Sequence, residues 1–391
     1  MTNETNISVL SAGRVPTYQA ARAVSATVEA HFARHLAAAR ARGEQELAPE
    51  PDAQTIEAII DSAFWASLRR EEGQSPRISL AFVPPEQAGY PLILEEPLPL
   101  TPNILTKLGP AVERPGIHLG VWHMRDELQI WGATRKLPNN CFVLEVVEPG
   151  LLVVKHRRRD GFGKFANVAV LKGDQVKVVD EQGGSLPDCP ALLTSLLGVT
   201  SPATWDESAN VLVQLAASMR GHGHGGSLLV APAGTEGWRD SIVHPISYSV
   251  APVFSGLADL MRQDLNNRDE NGWDTSVRKA VDTVAGLTAV DGATVITDQY
   301  EVLAFGAKIR RARGSAPIEQ MIITEPIVGD EAVVIHPATN GGTRHLSAAQ
   351  FVYDQRDTVA LIASQDGRFT IFAWSPCEDM VHAHRVDTLL L

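Results

Sequence analysis

From about residue 205 onward, apolar side chains switch repeatedly between a helical and a strand period, with glycine or proline at many of the changes. That alternation limits the fold more than any other property of the chain. Residues 205–220 repeat at helical spacing and stop at Gly221, and residues 227–231 form a short apolar run of strand length. Helices are expected over residues 247–266, 275–290 and 344–355. Strands are expected over 293–297, 302–307, 321–324, 359–363 and 369–374. A chain that alternates in this way buries both element types by laying helices on a mixed sheet. Residues 201–391 are therefore read as one domain of α/β class.

The first half has a different grain. Residues 16–43 carry Ala20, Val24, Val28, Phe32 and Leu36 on one helical face, with Pro16 near the start and Gly43 at the end. An acidic linker, 44–52, leads to a second helix over 53–70, where Ile56, Ile59, Ile60, Phe64 and Leu68 share a face. Residues 77–83 alternate toward a strand, and 84–102 are proline-rich, as in a loop or sheet edge. From Gly116 short β-rich runs follow at 117–123, 128–132, 141–147, 151–155, 168–172 and 175–179. They are separated by turns such as Glu148-Pro149-Gly150 and Gly173-Asp174. We read residues 1–200 as an α+β domain with an antiparallel sheet, bounded by the proline-containing stretch 185–204. Trp122 and Trp131 either present a stacking surface or, the commoner role for sheet aromatics, fill the core.

Charge and cysteine use narrow the function classes. The net charge of −12 disfavours broad binding to nucleic acid or anionic membrane, which needs a basic face. The local exception, His156-Arg157-Arg158-Arg159, reads as a solvated turn or a polyphosphate clamp. Cys141, Cys189 and Cys377 are odd in number and far apart, which points to a reducing compartment without a disulfide framework or zinc cluster. Residues 1–15 are polar, and no run approaches the roughly 18–20 apolar residues of a membrane span. The expectation is a soluble, cytoplasmic protein with no nucleic-acid or membrane partner.

Two stretches carry chemistry. Asn340-Gly341-Gly342-Thr343-Arg344-His345 reads as a glycine turn entering a helix, whose first amides and positive end suit an anion. Thr343 can cap that helix or donate to phosphate, and Arg344 can grip phosphate as a fork. His345 can contact phosphate, exchange a proton, or pair with the core. Asp291-Gly292-Ala293 puts a carboxylate at a strand mouth, where it can hold a divalent metal or a ribose hydroxyl. Three further segments are open to two readings. Ser364 lies at a strand end, where its hydroxyl can meet phosphate, and Asp366-Gly367 fits a type I′ turn. His222-Gly223-His224-Gly225-Gly226 is either a ligand-approaching glycine loop or a plain helix-to-strand connection, since two imidazoles alone fall short of a zinc site. Arg310, Arg311 and Arg313 either reach polyphosphate or solvate a hairpin. Hydrolase elbows, zincin helices, Walker loops and paired Cys-x-x-Cys do not occur in the sequence.

Taken in order, Asp291-Gly292-Ala293, then Gly342-Thr343-Arg344-His345, then Ser364-Gln365-Asp366, the second half resembles the diadenylate cyclase domain over residues 210–391. The resemblance implies a mixed sheet flanked by helices that binds ATP with Mg²⁺ or Mn²⁺. Asp291 would be the metal ligand, and Gly225, Gly226, Gly292, Ala293, Gly341, Gly342, Thr343, Arg344 and Ser364 would line the nucleotide. Asp291 and His345 would be catalytic only in an active enzyme. The chain departs from the family at Leu346, where a second arginine stands, and at Gln365, where an acid stands. Losing a guanidinium removes a charge-assisted contact worth about 1.5–3 kcal/mol. The pattern is more similar to the cyclase-like group DACNV, described as probable sensors, through His224-Gly225-Gly226-Ser227-Leu228-Leu229-Val230 and Phe305-Gly306-Ala307. The expected function is a nucleotide- or cyclic-dinucleotide-binding sensor acting through a homo-oligomer or an effector protein. The alternative is an active cyclase making cyclic di-AMP from two ATP, and a third reading is a scaffold that kept the fold without the ligand.

Overall fold

Strand β9 (Gly226–Ala231) shows how the second half is built. Its side chains alternate, so Leu228 and Val230 pack on one face of the sheet while Leu229 and Ala231 pack on the other. Every residue of β9 is buried, as a central strand covered on both sides requires. In this computed structural model the described residues are 17–124, 127–158, 165–181, 190, 193, 207–263 and 270–391.

The chain forms two compact units. One runs to Arg157 and includes Ala169–Val176; the other comprises Arg158–Val168 and Lys177–Leu391. The boundary expected at 185–204 lies outside the described residues apart from 190 and 193.

The first unit begins with α1 (Gln19–Ala41) and α2 (Ala53–Ser67). The Asp52 side chain caps α2 by accepting from the Thr55 N–H at 2.7 Å, and the Thr55 backbone bond holds its carboxyl below the usual range. Strands β1 (Ile78–Phe82), β3 (His118–Met124), β4 (Glu127–Thr134), β5 (Phe142–Glu148), β6 (Leu151–Arg157), β7 (Phe165–Lys172) and β8 (Gln175–Val178) follow the expected runs closely, and the proline-rich stretch read as a loop or sheet edge supplies the edge strand β2 (Leu92–Pro99). They join in the order β2-β4-β3-β1-β5-β6-β7-β8. The expectation of a purely antiparallel sheet fails at β1 and β3, which pair in parallel. The connection between them passes through α3 (Pro102–Val112), a helix the sequence reading missed. Thr101 caps it and Pro102 takes its first turn, so a proline read as the end of a loop begins a helix.

Trp131 is fully buried and its indole N–H donates to the Val83 carbonyl at 2.8 Å, which assigns it to the core. Trp122 lies half-buried against Phe82, with ring centroids 4.6 Å apart. His156 and Arg157 end β6, His156 is buried, and Arg157 donates to the Leu137 carbonyl. Arg158 is held below the usual arginine value by burial, against the pull of Glu181. These three residues are therefore not a solvated turn; Arg159 lies outside the described residues.

The second unit holds a nine-stranded mixed sheet in the order β10-β12-β11-β9-β15-β16-β17-β13-β14. Its strands are β10 (Tyr248–Phe254), β11 (Ala293–Thr297), β12 (Val302–Ala307), β13 (Met321–Thr324), β14 (Val333–Ile335), β15 (Val359–Ala363), β16 (Phe369–Ser375) and β17 (Met380–Arg385), with β9 in the interior beside the central β15. Helices α4 (Glu207–Gly221) and α6 (Glu270–Leu287) pack on one face with Phe369 and Ile371; α7 (Thr343–Asp354) packs on the other with Trp238 and Phe372. This confirms the α/β class and the helix-flanked mixed sheet. One element is corrected. The helix expected over 247–266 is β10 followed by the short α5 (Gly256–Met261). Pro252 lacks the N–H that a helix interior needs, and it is tolerated on an edge strand whose pairing slips between Ser249 and Phe254. Strands β14 and β17 were also not foreseen. No helix among the described residues is long and apolar enough to cross a membrane.

Candidate functional site

The register of the central strands gathers the motif residues at one end of the nine-stranded sheet. β9 and β11 run parallel, with Leu228 opposite Thr294, so Gly225-Gly226 and Asp291-Gly292 enter the sheet side by side. Ala363 pairs with Gly226 from antiparallel β15, and Ala307 pairs with Ala293 from antiparallel β12. Ser364 and Lys308 therefore leave the sheet where the two glycine-preceded strands begin. Thr370 opposite Arg385 extends the same end to β17.

Gly292 and Gly306 make this end tight. A Cβ on Gly292, whose φ is +115°, would strike the Gly306 carbonyl carbon and lie 2.7 Å from its oxygen. A Cβ on Gly306, with φ +61°, would lie 2.7 Å from the Tyr248 ring. The two glycine motifs are thus halves of one close backbone contact. A side chain on Gly226 would collide with Thr288, its oxygen at 2.6 Å.

Asp291 is exposed and ion-paired with Lys308. That hydrogen bond and the lysine charge hold its carboxyl below the usual range, and the charge of Arg344 adds to the effect. Arg344 stands on the first turn of α7, where a Cβ on Gly225 would come 2.9 Å from its Nη1. The same Cβ would approach the Ala363 carbonyl at 3.2 Å and Gln365 at 3.3 Å. Gln365 Nε2 donates to the His224 carbonyl at 3.3 Å, tying the β15–β16 turn to the glycine loop. An amide can make this bond and a carboxylate cannot. Asp291, Gly225, Gly226 and Arg344 thus meet at one place.

Other motif residues have different roles. The N-cap of α7 is Gly342, with no side-chain cap, so Thr343 is an exposed first-turn residue and does not cap the helix. Gly342 has open space where a side chain would be, whereas a Cβ on Gly341 would lie 2.8 Å from His345 Nδ1. His345 points inward. It is buried, its Nε2 lies 3.4 Å from the Thr370 hydroxyl, and its ring meets Phe372 edge-on. The half-buried Ser364 opens a turn closed by the Gly367 N–H at 3.1 Å. Gly367 has positive φ and Asp366 does not, so this is not the type I′ turn expected. Arg310 donates to the Asp240 carbonyl at 3.2 Å, while Arg311 and Arg313 are exposed in the connection between β12 and β13, two strands that do not pair with each other. His222 accepts from the His224 N–H at 3.1 Å and lies 3.2 Å from the Thr288 hydroxyl; burial lowers its proton affinity, and His224 adds to this.

Burial likewise pushes the His345 imidazole below the usual histidine value; Asp366 opposes the shift, and Arg385 and Arg368 reinforce it. A histidine depressed in the folded state is neutral in both states at pH 7. Below about pH 6.5 the unfolded chain takes up the proton first, so stability falls as pH drops through that value. His345→Gln should therefore lose less stability than the wild-type chain between pH 7 and 5 in thermal melts. Parallel curves for the two proteins would remove His345 from the acid response.

Two neighbouring residues, Lys308 and Tyr248, went unmentioned in the sequence reading, and Asn340 was named there only as part of the glycine turn. Lys308 follows the Phe-Gly-Ala motif directly, a signal that was present but unused. Tyr248, half exposed, stacks on Phe305 with centroids 4.8 Å apart and planes 7° from parallel, beside Gly306. Asn340 is buried and its amide nitrogen has no hydrogen-bond partner, while its oxygen accepts from Arg385 at 3.4 Å. A cavity of about 330 Å³ opens there, lined by Thr324, Glu325, Asp330, Thr339, Asn340 and Arg385 among others.

The fold and these elements define a mixed α/β protein of two units. Over residues 45–135, within the first unit, the chain matches the family model described as "Probable sensor domain DACNV". That span covers α2, β1 to β4 and α3, including Trp131. The DACNV likeness was expected from motifs in the second half, whereas the family match falls in the first half. No curated protein matches the chain.

Proposed function

We propose that the chain is a sensor whose second unit binds a nucleotide or cyclic dinucleotide at the end of its nine-stranded sheet. The observation carrying this reading is the meeting of Arg344, Gly225 and Asp291 at one place. A guanidinium, glycine backbone free of side chains and a carboxylate can serve phosphate and a metal or ribose hydroxyl together. Phosphate would sit against Arg344, Gly225, Gly226 and the glycine turn at Gly341-Gly342-Thr343. Asp291 would take Mg²⁺, Mn²⁺ or a ribose hydroxyl, with Lys308 balancing its charge. The exposed face of Tyr248 gives a base a ring to stack on. Asn340, a buried donor lacking an acceptor, supplies a further hydrogen bond to any ligand reaching the adjoining cavity. The output would pass through a homo-oligomer or an effector protein. The latching role of Gln365 favours binding over cyclic di-AMP synthesis.

A thermal-shift screen of the full chain with ATP, ADP and cyclic di-AMP, each with and without Mn²⁺, tests the reading. At least one should raise the melting temperature. Arg344→Ala should weaken that ligand roughly tenfold to 150-fold, since a charge-assisted bond is worth about 1.5–3 kcal/mol. Asp291→Ala should remove the Mn²⁺-dependent part. Gly342→Ala should alter affinity while lowering the melting temperature of the ligand-free chain only slightly, because open space surrounds that position and only the weaker N-cap is lost. A full ligand response in both Asp291→Ala and Arg344→Ala would place the site elsewhere. Mass spectrometry of the ATP and Mn²⁺ mixture should find no cyclic di-AMP, and steady accumulation would make the chain an active cyclase.

A further inference from the structure

We propose that His31, His35 and His156 in the first unit form a binding site for one divalent transition-metal ion of the zinc class. The ligand-capable nitrogens of these three rings all lie within 4.8 Å of one another. His31 and His35 are one turn apart on α1, a spacing that puts both imidazoles on one helix face. His156 comes from β6, so two separate elements of one unit build the cluster.

Its surroundings suit a metal. His31 and His156 are buried and His35 is half-buried, which leaves one side open for entry and for a water as fourth ligand. The fully buried Phe32 meets His31 edge-on at 5.5 Å and His156 at 6.4 Å, and Phe142 packs behind it at 5.5 Å. This apolar backing limits the rotamers of both rings. His31 Nε2 and His156 Nδ1 are now 2.9 Å apart, a hydrogen bond in which one ring donates and the other accepts. Metal bonds of about 2.0–2.1 Å in a tetrahedral arrangement set ligand nitrogens about 3.3 Å apart. A small rotation of the rings would therefore exchange the shared proton for a cation. Three neutral imidazoles select zinc, cobalt, nickel or copper over magnesium or calcium, which prefer oxygen. The sequence hides the cluster, because His156 lies far along the chain from the helical pair.

The test is titration of the full-length chain, freed of any polyhistidine tag and treated with chelator. Co²⁺ is followed by visible absorption and Zn²⁺ by calorimetry. One equivalent per chain should bind, with the intense visible bands of low-coordinate Co²⁺. His35→Ala is the informative variant, because its side chain is half exposed and its loss should spare the fold, as circular dichroism would show. It should weaken the metal at least tenfold. His35→Cys should restore Co²⁺ binding with a new thiolate charge-transfer band, which a merely structural histidine would not give. His222→Ala with His224→Ala should leave the titration unchanged. Failure of the folded wild-type chain to bind stoichiometric metal, or loss of binding with His222 and His224 in place of His35, would overturn the assignment.

Discussion

Gly292→Ala is expected to destabilise the second unit by about 2–5 kcal/mol. Two costs combine. A φ of +115° is closed to a residue with a side chain, at about 1–2 kcal/mol for left-handed backbone, and forcing a methyl into packed atoms costs about 1–3 kcal/mol. Here the obstructing atoms are the Gly306 carbonyl group, which belongs to the paired strand β12 and cannot rotate away. For a unit of this size such a loss lowers the melting temperature by roughly 4–20 °C. Thermal unfolding checks it, and Gly342→Ala provides the control, with a smaller expected change of about 0.5–1.5 kcal/mol that comes only from alanine being the poorer N-cap. The pair separates two meanings of a motif glycine. Gly292 is required by the fold, whereas Gly342 is free to serve a ligand. An unchanged melting temperature in Gly292→Ala would show that the crossing of β11 and β12 is looser than described.

Trp131→Ala should cost the first unit about 3–5 kcal/mol, the range for truncating a large buried aromatic. The indole is fully buried and fills the space that Gly120 leaves on the neighbouring strand, where any Cβ would overlap the ring. Its N–H also satisfies the Val83 carbonyl, which would be left without that donor. Trp122→Ala, at a half-buried position, should cost clearly less. Denaturant titration of both variants reads the difference directly. Equal small losses would return Trp131 to the role of an exposed stacking surface. Because Trp131 lies within the span matched by the sensor family, this residue reports on whether that domain keeps its core.

Much of the architecture was legible. Strands β11, β12, β13 and β15 were expected at their observed limits, since short apolar runs between turns and helices leave little freedom in placement. Errors fell where one proline had two meanings. Pro102 starts a helix and Pro252 sits in an edge strand, and local composition does not separate these from a loop or a helix break. Asp291, Gly225 and Arg344, named from separate motifs, lie close together in the fold, while of the two roles open to Thr343 the cap is excluded, because the turn ends one residue earlier at Gly342. His345 looked equally suited to phosphate and to the core; its position on the inner face of α7 turns it toward Thr370.

Periodicity and turn residues, which are local properties, determined most of the helices and strands and the α/β class without reference to any partner, α3, β10, β14 and β17 excepted. Strand order and register are long-range choices made by burying both faces of a sheet. They alone brought Lys308 to Asp291, set Arg344 over Gly225, and carried His156 across the chain to His31 and His35. Such meetings depend on which strands become neighbours, and apolar spacing along the chain records which face a residue takes but not who stands beside it.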